Sequence, residues 1–241
     1  MTRALLALHA ATRFRLTQGR RIAGENDPDG AIAPRLYMSG CEEGWIGYLR
    51  EDFDEAAARA FDELVLREPP VRAPGAVPRF ADAYREIVDT DELLTAHNYG
   101  PIHRLPRGTP WPGEATIVRS GTSDGAALRA RLQSEGMPQG MIDVGFADPS
   151  HLWEPWCAVL VEGEVASVAF AARKGLLAAD VGVFTLEAYR GRGLAGAVTA
   201  AWSTLLPRHP VLFYSTHRDN AASQRVIAKL GLPFVGESLT I

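Results

Sequence analysis

The densest chemistry in this chain lies in Val181-Gly-Val-Phe-Thr-Leu-Glu-Ala-Tyr-Arg-Gly-Arg-Gly-Leu-Ala-Gly196, where Arg190 and Arg192 interleave with Gly191 and Gly193. The run 179–185 reads as a strand and the Ala-rich stretch 194–206 as a helix, so the loop between them feeds a helix start. Glycines let backbone amides approach an anion without a Cβ in the way, and a helix start adds unpaired N–H groups and a positive dipole end. The arginines add mobile positive charge, and the chemistry this suits is phosphate binding. It is not a Walker loop, because no Gly-Lys-Ser/Thr follows, and the Gly-x-Gly-x-x-Gly phase of a dinucleotide fold is absent. A loop that only bends needs glycines but not the arginines between them.

The elements around this loop alternate. Upstream, 116–119 reads as a short strand, and 126–132 as a helix with Thr122 or Ser123 as N-cap. Strands 156–161 and 165–172 are joined by the tight turn Glu162-Gly163-Glu164. Downstream come strand 211–215, helix 220–230 and a final strand 234–241, which together imply an α/β (α+β) layered sheet with crossovers. In the first half, Phe53, Ala56, Ala57, Ala60, Phe61 and Leu64 give 52–66 an amphipathic helical period. A second helix over 80–94 and strands over 35–39 and 44–49 complete a mixed α and β reading. Two proline-rich interruptions, 68–78 and 101–112, should be neither helix interior nor central strand. The second is taken as the boundary between an accessory domain, 1–112, and a domain spanning 113–241.

Arg190-x-x-Gly193-x-Ala195 resembles the Gln/Arg-x-x-Gly-x-Gly/Ala pyrophosphate loop of the GNAT acetyltransferases. That family follows the loop's helix with a strand and then a helix that starts near an Asn and ends in Lys-x-Gly-Phe. Here the chain reads Phe213-Tyr-Ser-Thr-His-Arg-Asp-Asn220-Ala-Ala-Ser223-Gln-Arg-Val-Ile-Ala-Lys229-Leu-Gly231-Leu. The resemblance covers about half the chain. It implies a GNAT-like mixed central sheet flanked by helices and transfer of an acetyl group from acetyl-CoA, as co-substrate, to a primary amine by direct attack in a ternary complex. The amides of Arg190, Gly191, Arg192, Gly193, Leu194 and Ala195 would hold the pyrophosphate. The backbone of Val183, Phe184 and Thr185 would pair with the pantetheine arm, and Asn220 and Ser223 would line its far side.

Acyl transfer from a thioester to an amine needs a neutral amine, a stabilised oxyanion and a proton or hydrogen bond for the leaving thiolate. The resemblance puts the oxyanion donor at the amide near Phe184. Many relatives carry a Tyr seven residues after the Asn as the acid, but Ile227 stands there, leaving Ser223 and Tyr214 as hydroxyl candidates. Either could equally be a packing residue. Asp180 is the candidate base, with a pKa that burial would raise, or else a solvated turn acid. Glu187, Glu162 and His151 are weaker candidates. Ile227 keeps open a non-catalytic CoA or acyl-CoA sensor, and the first half could instead be a partner-docking module. Nothing in that half spells out the acceptor.

The broad classes are bounded by composition. With 46% apolar and 22% charged residues the chain reads as an ordinary soluble protein, and its net charge of −4 gives no general attraction to nucleic acid. No run approaches the roughly 20 apolar residues that span a bilayer. Residues 4–11 read as a surface helix rather than a signal peptide, because His9 interrupts them and Arg13 and Arg15 follow, so a cytoplasmic location is expected. Cys41 and Cys157 have no metal or disulfide spacing, and Asp27-x-Asp29-Gly30 lacks the acid that a calcium loop needs where Met38 stands, so no metal is expected. His97, His103, His209 and His217 are expected at the surface. The final strand is expected at a sheet edge, through which a homodimer could form.

Overall fold

The computed structural model describes residues 2–91 and 93–241. The chain opens with α1 (Arg3–Arg13) and a two-stranded ribbon, β1 (Phe14–Leu16) and β2 (Ile22–Glu25). Then follow β3 (Leu36–Cys41), β4 (Gly44–Leu49), α2 (Glu55–Leu66), α3 (Ala81–Ile87) and β5 (Tyr99–Arg104). The second half contains β6 (Thr116–Arg119), α4 (Ser123–Glu135), α5 (Gln139–Ile142), β7 (Cys157–Val161), β8 (Glu164–Lys174) and β9 (Ala178–Thr185). It closes with α6 (Leu194–Trp202), β10 (Val211–Ser215), α7 (Ala221–Leu230) and β11 (Phe234–Thr240).

Side-chain caps start three of these helices, and the first of them begins three residues inside the span expected from residue 52. Asp54 accepts from Ala57 N at 2.8 Å for α2, Thr122 from Gly125 N at 3.1 Å for α4, and Asn220 from Ser223 N at 3.0 Å for α7. The helix expected over 80–94 stops at Ile87, and Asp89 just beyond takes the left-handed φ of 49° that commonly ends a helix. Of that expected span, Glu92 lies outside the described residues.

Nine strands form one mixed sheet in the order β4-β3-β11-β5-β10-β9-β8-β7-β6. Its neighbours run antiparallel except β9 and β10, which run parallel. The sheet crosses the boundary expected near residue 112, since β5, from before it, lies between β10 and β11. Two expectations are corrected here. The final strand β11 is interior, between β3 and β5, so the sheet edges are β4 and β6. A proline also sits in an interior strand, at Pro101 of β5. Leu105 N–H reaches Leu212 O on β10, and counting back in twos aims the missing N–H of Pro101 past the end of β10 at Ser215. No ladder bond is lost, so the usual objection to proline does not apply.

Residue alternation sorts the core into two faces. Ala178 and Phe213 pack with Leu6 and Ala10 of α1, while Ala179, Leu212 and Tyr214 pack with Val198 of α6 and Ile227 of α7. The helix expected at the surface, α1, buries Leu6, His9, Ala10 and Thr12. Burial of His9 is tolerable because both its ring nitrogens find partners.

A fragment of residues 113–241 is therefore expected not to fold by itself, because removing β5 exposes the inner edges of both β10 and β11. Circular dichroism and gel filtration of that fragment check this, and a monomeric, cooperatively melting fragment would contradict it.

Candidate active site

The pairing between β9 and β10 runs Val211 with Ala178, Leu212 with Ala179 and Phe213 with Asp180, and then stops, although both strands continue. At the parting point the Asp180 carboxylate takes over the ladder's role. Its Oδ1 accepts from Ser215 N at 3.1 Å, and its Oδ2 accepts from Ser215 Oγ and from His9 Nε2, the latter at 3.2 Å. His9 Nδ1 lies 2.8 Å from the Tyr37 hydroxyl. The tautomer that satisfies both contacts has Nε2–H donating to Asp180 and Nδ1 accepting from Tyr37. The two strands diverge around a cavity of about 530 Å³.

The expected upward shift of Asp180 is corrected. Burial pushes its pKa up, but the hydrogen bond from the His9 ring, the Ser215 hydroxyl and the nearby charge of Arg13 outweigh it, leaving the carboxyl below its ordinary value. Burial also lowers the pKa of His9, against the pull of Asp180. The group at the fork is thus an ionised carboxylate held by a neutral imidazole. Being already anionic and weakly basic, Asp180 is suited to hold a cation rather than to take a proton from one.

The backbone of β9 is divided in the same way. Leu186 N–H donates to Ala166 O at 3.0 Å, and counting back in twos along the antiparallel ladder with β8 makes Phe184 N–H a sheet donor as well. The amides facing the side vacated by β10 are those of Val183 and Thr185. The oxyanion donor expected near Phe184 therefore shifts to an adjacent residue.

Beyond β9 the chain turns through the glycine loop. Gly191 and Gly193 take left-handed φ values of 78° and 81°, and Gly193 is the N-cap of α6, offering no side-chain oxygen to the first turn. Among the described residues the amides of 191–195 meet no protein acceptor, whereas Arg190 N–H is engaged by Glu187 O at 3.1 Å. Arg190 thus offers its guanidinium but not its amide. Two residues that sequence reasoning missed complete the loop. Lys229 Nζ would lie 3.1 Å from a Cβ at Gly193, and it sits 4.7 Å above the ring of Trp111. Trp111 covers the first turn of α6, at a spot where any side chain on Gly196 would collide with its ring. The signal for Lys229 was present in the Lys-x-Gly ending of the last helix. Trp111, within a proline-rich connector, had none.

The hydroxyl candidates meet across the cavity. Tyr214 donates to Ser223 Oγ at 3.3 Å, and burial raises the Tyr214 pKa. Tyr214, Asn220 and Ser223 line the α7 side of the cavity, and Asp180, Ser215, Arg13 and Arg173 line the α1 side. Glu187, Glu162 and His151 do not line it. His103, expected at the surface, is buried in the interior strand β5, and burial lowers its pKa to about 4. Among the described residues there is no cluster that could hold a metal ion and no helix long and apolar enough to cross a membrane.

No family model matches the chain, and no curated protein matches it in sequence. Among solved structures it is similar to a GNAT-family protein from Novosphingobium aromaticivorans, at 22% identity and a TM-score of 0.42. That match spans 59% of this chain and 63% of the other, less than two thirds of its length. A GCN5-related N-acetyltransferase from Kribbella flavida is similar at 13% identity and a TM-score of 0.46, over 98% of this chain and 92% of that one. A GNAT-family acetyltransferase from Colwellia psychrerythraea is similar at 14% identity and a TM-score of 0.42, over 94% and 84%.

The buried imidazoles set an acid limit on stability. His9 and His103 have folded pKa values below the unfolded value of about 6.5. The unfolded chain therefore binds protons first, and stability is full above about pH 6.5 and declines as pH falls toward 4. Asp180, also depressed, adds a loss only at lower pH, through its folded value. Melting temperatures measured from pH 7.5 to 4.5 should fall below pH 6.5, with a shallower fall for His103→Gln. A flat profile would mean that these rings are not buried in the neutral form.

Proposed function

We propose that this chain is an acetyl-CoA-dependent N-acetyltransferase acting on a primary amine in a ternary complex. The observation that carries the reading is the parting of β9 and β10 around a cavity, on the strand that leads directly into unpaired amides at the start of α6. A pyrophosphate would sit on the amides of 191–195, with Arg190, Arg192 and Lys229 supplying positive charge. The pantetheine arm would run along β9, pairing with the backbone of Val183 to Thr185 in place of β10, and pass Asn220 and Ser223. In this reading residues 1–112 supply the acceptor side of the site.

The amine attacks the thioester carbonyl, a C–N bond forms, and the oxygen becomes anionic, for which the Val183 amide is the donor. Asp180 faces the nitrogen and stabilises its positive charge until the proton is released to solvent. The C–S bond then breaks, and the thiolate takes its proton from the Ser223 hydroxyl, which Tyr214 replenishes from behind before regaining a proton from solvent. Ser223 and Tyr214 together stand in for the tyrosine that Ile227 replaces. Ile227 itself, buried against Tyr214, favours the second reading, a CoA or acyl-CoA sensor that performs no transfer.

Isothermal titration with acetyl-CoA and with CoA, alongside the Arg190→Ala/Arg192→Ala double variant, tests the loop. Micromolar binding weakened by more than about tenfold, or about 1.4 kcal/mol, is expected. Absence of binding by either ligand would sink the whole reading. In a thiol-release assay, Ser223→Ala should lower kcat about 10²-fold, a far larger change than any in CoA affinity. Tight binding with no thiol release across an amine library would favour the sensor.

A further inference from the structure

Resting on the acyl-transfer reading above, we infer that the acceptor amine also carries a carboxylate and that Arg13 binds it. Arg13 is the last residue of α1 and lines the cavity on the same side as Asp180. Its guanidinium carbon lies 5.5 Å from the ring centre of Phe14 and 5.7 Å from that of Tyr37. Two aromatic rings thus steady the group while leaving its N–H donors unused. Among the described residues its side chain has no hydrogen-bond acceptor and no carboxylate partner.

The other charged groups in the wall narrow what this cation can serve. Arg173 also lines the cavity but is already neutralised, with Nε 2.9 Å and Nη2 2.6 Å from Glu25 Oε2, and Nη2 3.4 Å from Asp27. His97 and His217 stack at the mouth with ring centres 3.6 Å apart. Such a close face-to-face pair is favourable only when at least one ring is uncharged. Among the described residues Asp180 is the one acidic side chain in the lining. Arg13 is near enough to help hold that carboxyl ionised, yet Asp180's contacts are to Ser215 and His9.

The α1 side of the cavity therefore presents one fixed negative charge at the strand fork and one unmatched positive charge beside it. A ligand that satisfies both has an ammonium for Asp180 and a carboxylate for the planar fork of Arg13, which suits a carboxylate in bidentate geometry. Polyamines and aminoglycosides, which bring only positive charge, would leave Arg13 unmatched and repelled. A free amino acid fits both charges, and a cavity of about 530 Å³ has room for one beside the thioester. Before transfer the ammonium gives one proton to solvent; the neutral nitrogen then gains the acetyl carbon and loses a second proton as the C–S bond breaks, and CoA leaves as the thiol. The carboxylate on Arg13 takes no part in the bond changes.

The test is a thiol-release assay with acetyl-CoA and alanine, phenylalanine, glutamate, β-alanine and γ-aminobutyrate, each compared with its methyl ester, whose amine is intact. The wild type should use at least one acid better than its ester by about tenfold or more in kcat/KM, the scale of one charged hydrogen bond. Arg13→Gln should raise KM for that acid by a similar factor, leaving its ester and the CoA affinity unchanged, and Arg13→Lys should recover part of the loss. Calorimetric titration of the same acids into the CoA complex reads the site without turnover. Esters used as well as acids, or an Arg13→Gln effect equal on both, would overturn the inference while leaving the acyl-transfer reading intact. So would the absence of any carboxylate-dependent rate or heat across the panel. Failure of CoA itself to bind is a different result, and it removes the underlying reading.

Discussion

A buried carboxylate in the middle of a sheet is costly unless donors surround it, and Asp180 meets that condition at the one place where two parallel strands must part. Its oxygens take the N–H and O–H of Ser215 and the ring N–H of His9, so β10 can leave β9 without orphaning its first free amide. The cavity, the exposed backbone of β9 and the placement of the hydroxyls across from the cations all follow from this fork. So does the role of α1. The charge requires His9, His9 requires Tyr37 of β3, and the amino-terminal segment is thereby tied into the centre of the molecule.

The fork also divides the chemistry by residue parity. Along β9, Asp180 points to the α1 face, while Val181 and Val183 point to the face of α6 and α7; along β10, Ser215 and Tyr214 divide in the same way. The nucleotide loop and the Tyr214–Ser223 pair belong to one face, and Asp180 and Arg13 belong to the other. Two ligands approaching from opposite faces would meet in the gap with their reacting atoms between a hydroxyl pair and a carboxylate. A sheet without a gap could not provide this, because its backbone would separate the two sides.

Where sequence reasoning and structure differ, the reason is an element's neighbours. Pro101 is harmless in an interior strand because the strand beside it has already ended. His103 and β11 read as peripheral, and they are central because β5 inserts between β10 and β11. Asp180 was legible as a candidate acid, buried or solvated, but its burial and the direction of its shift depend on contacts such as that with His9, which is 171 residues away in the chain. Arg13 and Trp111 carried no motif, and their positions at the cavity and on α6 arise only from packing.

The amino-acid sequence by itself determined what depends on neighbours a few residues apart. That includes the glycine-arginine turn, the helix start at Thr122 and the one near Asn220, the periodicity of most helices and strands, and the order of elements around the loop. These are set by backbone sterics, short-range hydrogen bonds and hydrophobic period, all written locally. Tertiary structure decided which strands adjoin, which groups are buried together, and hence which carboxylate is ionised and which arginine is left unmatched. Burial and pairing energies belong to contacts between distant segments, and no local pattern records them.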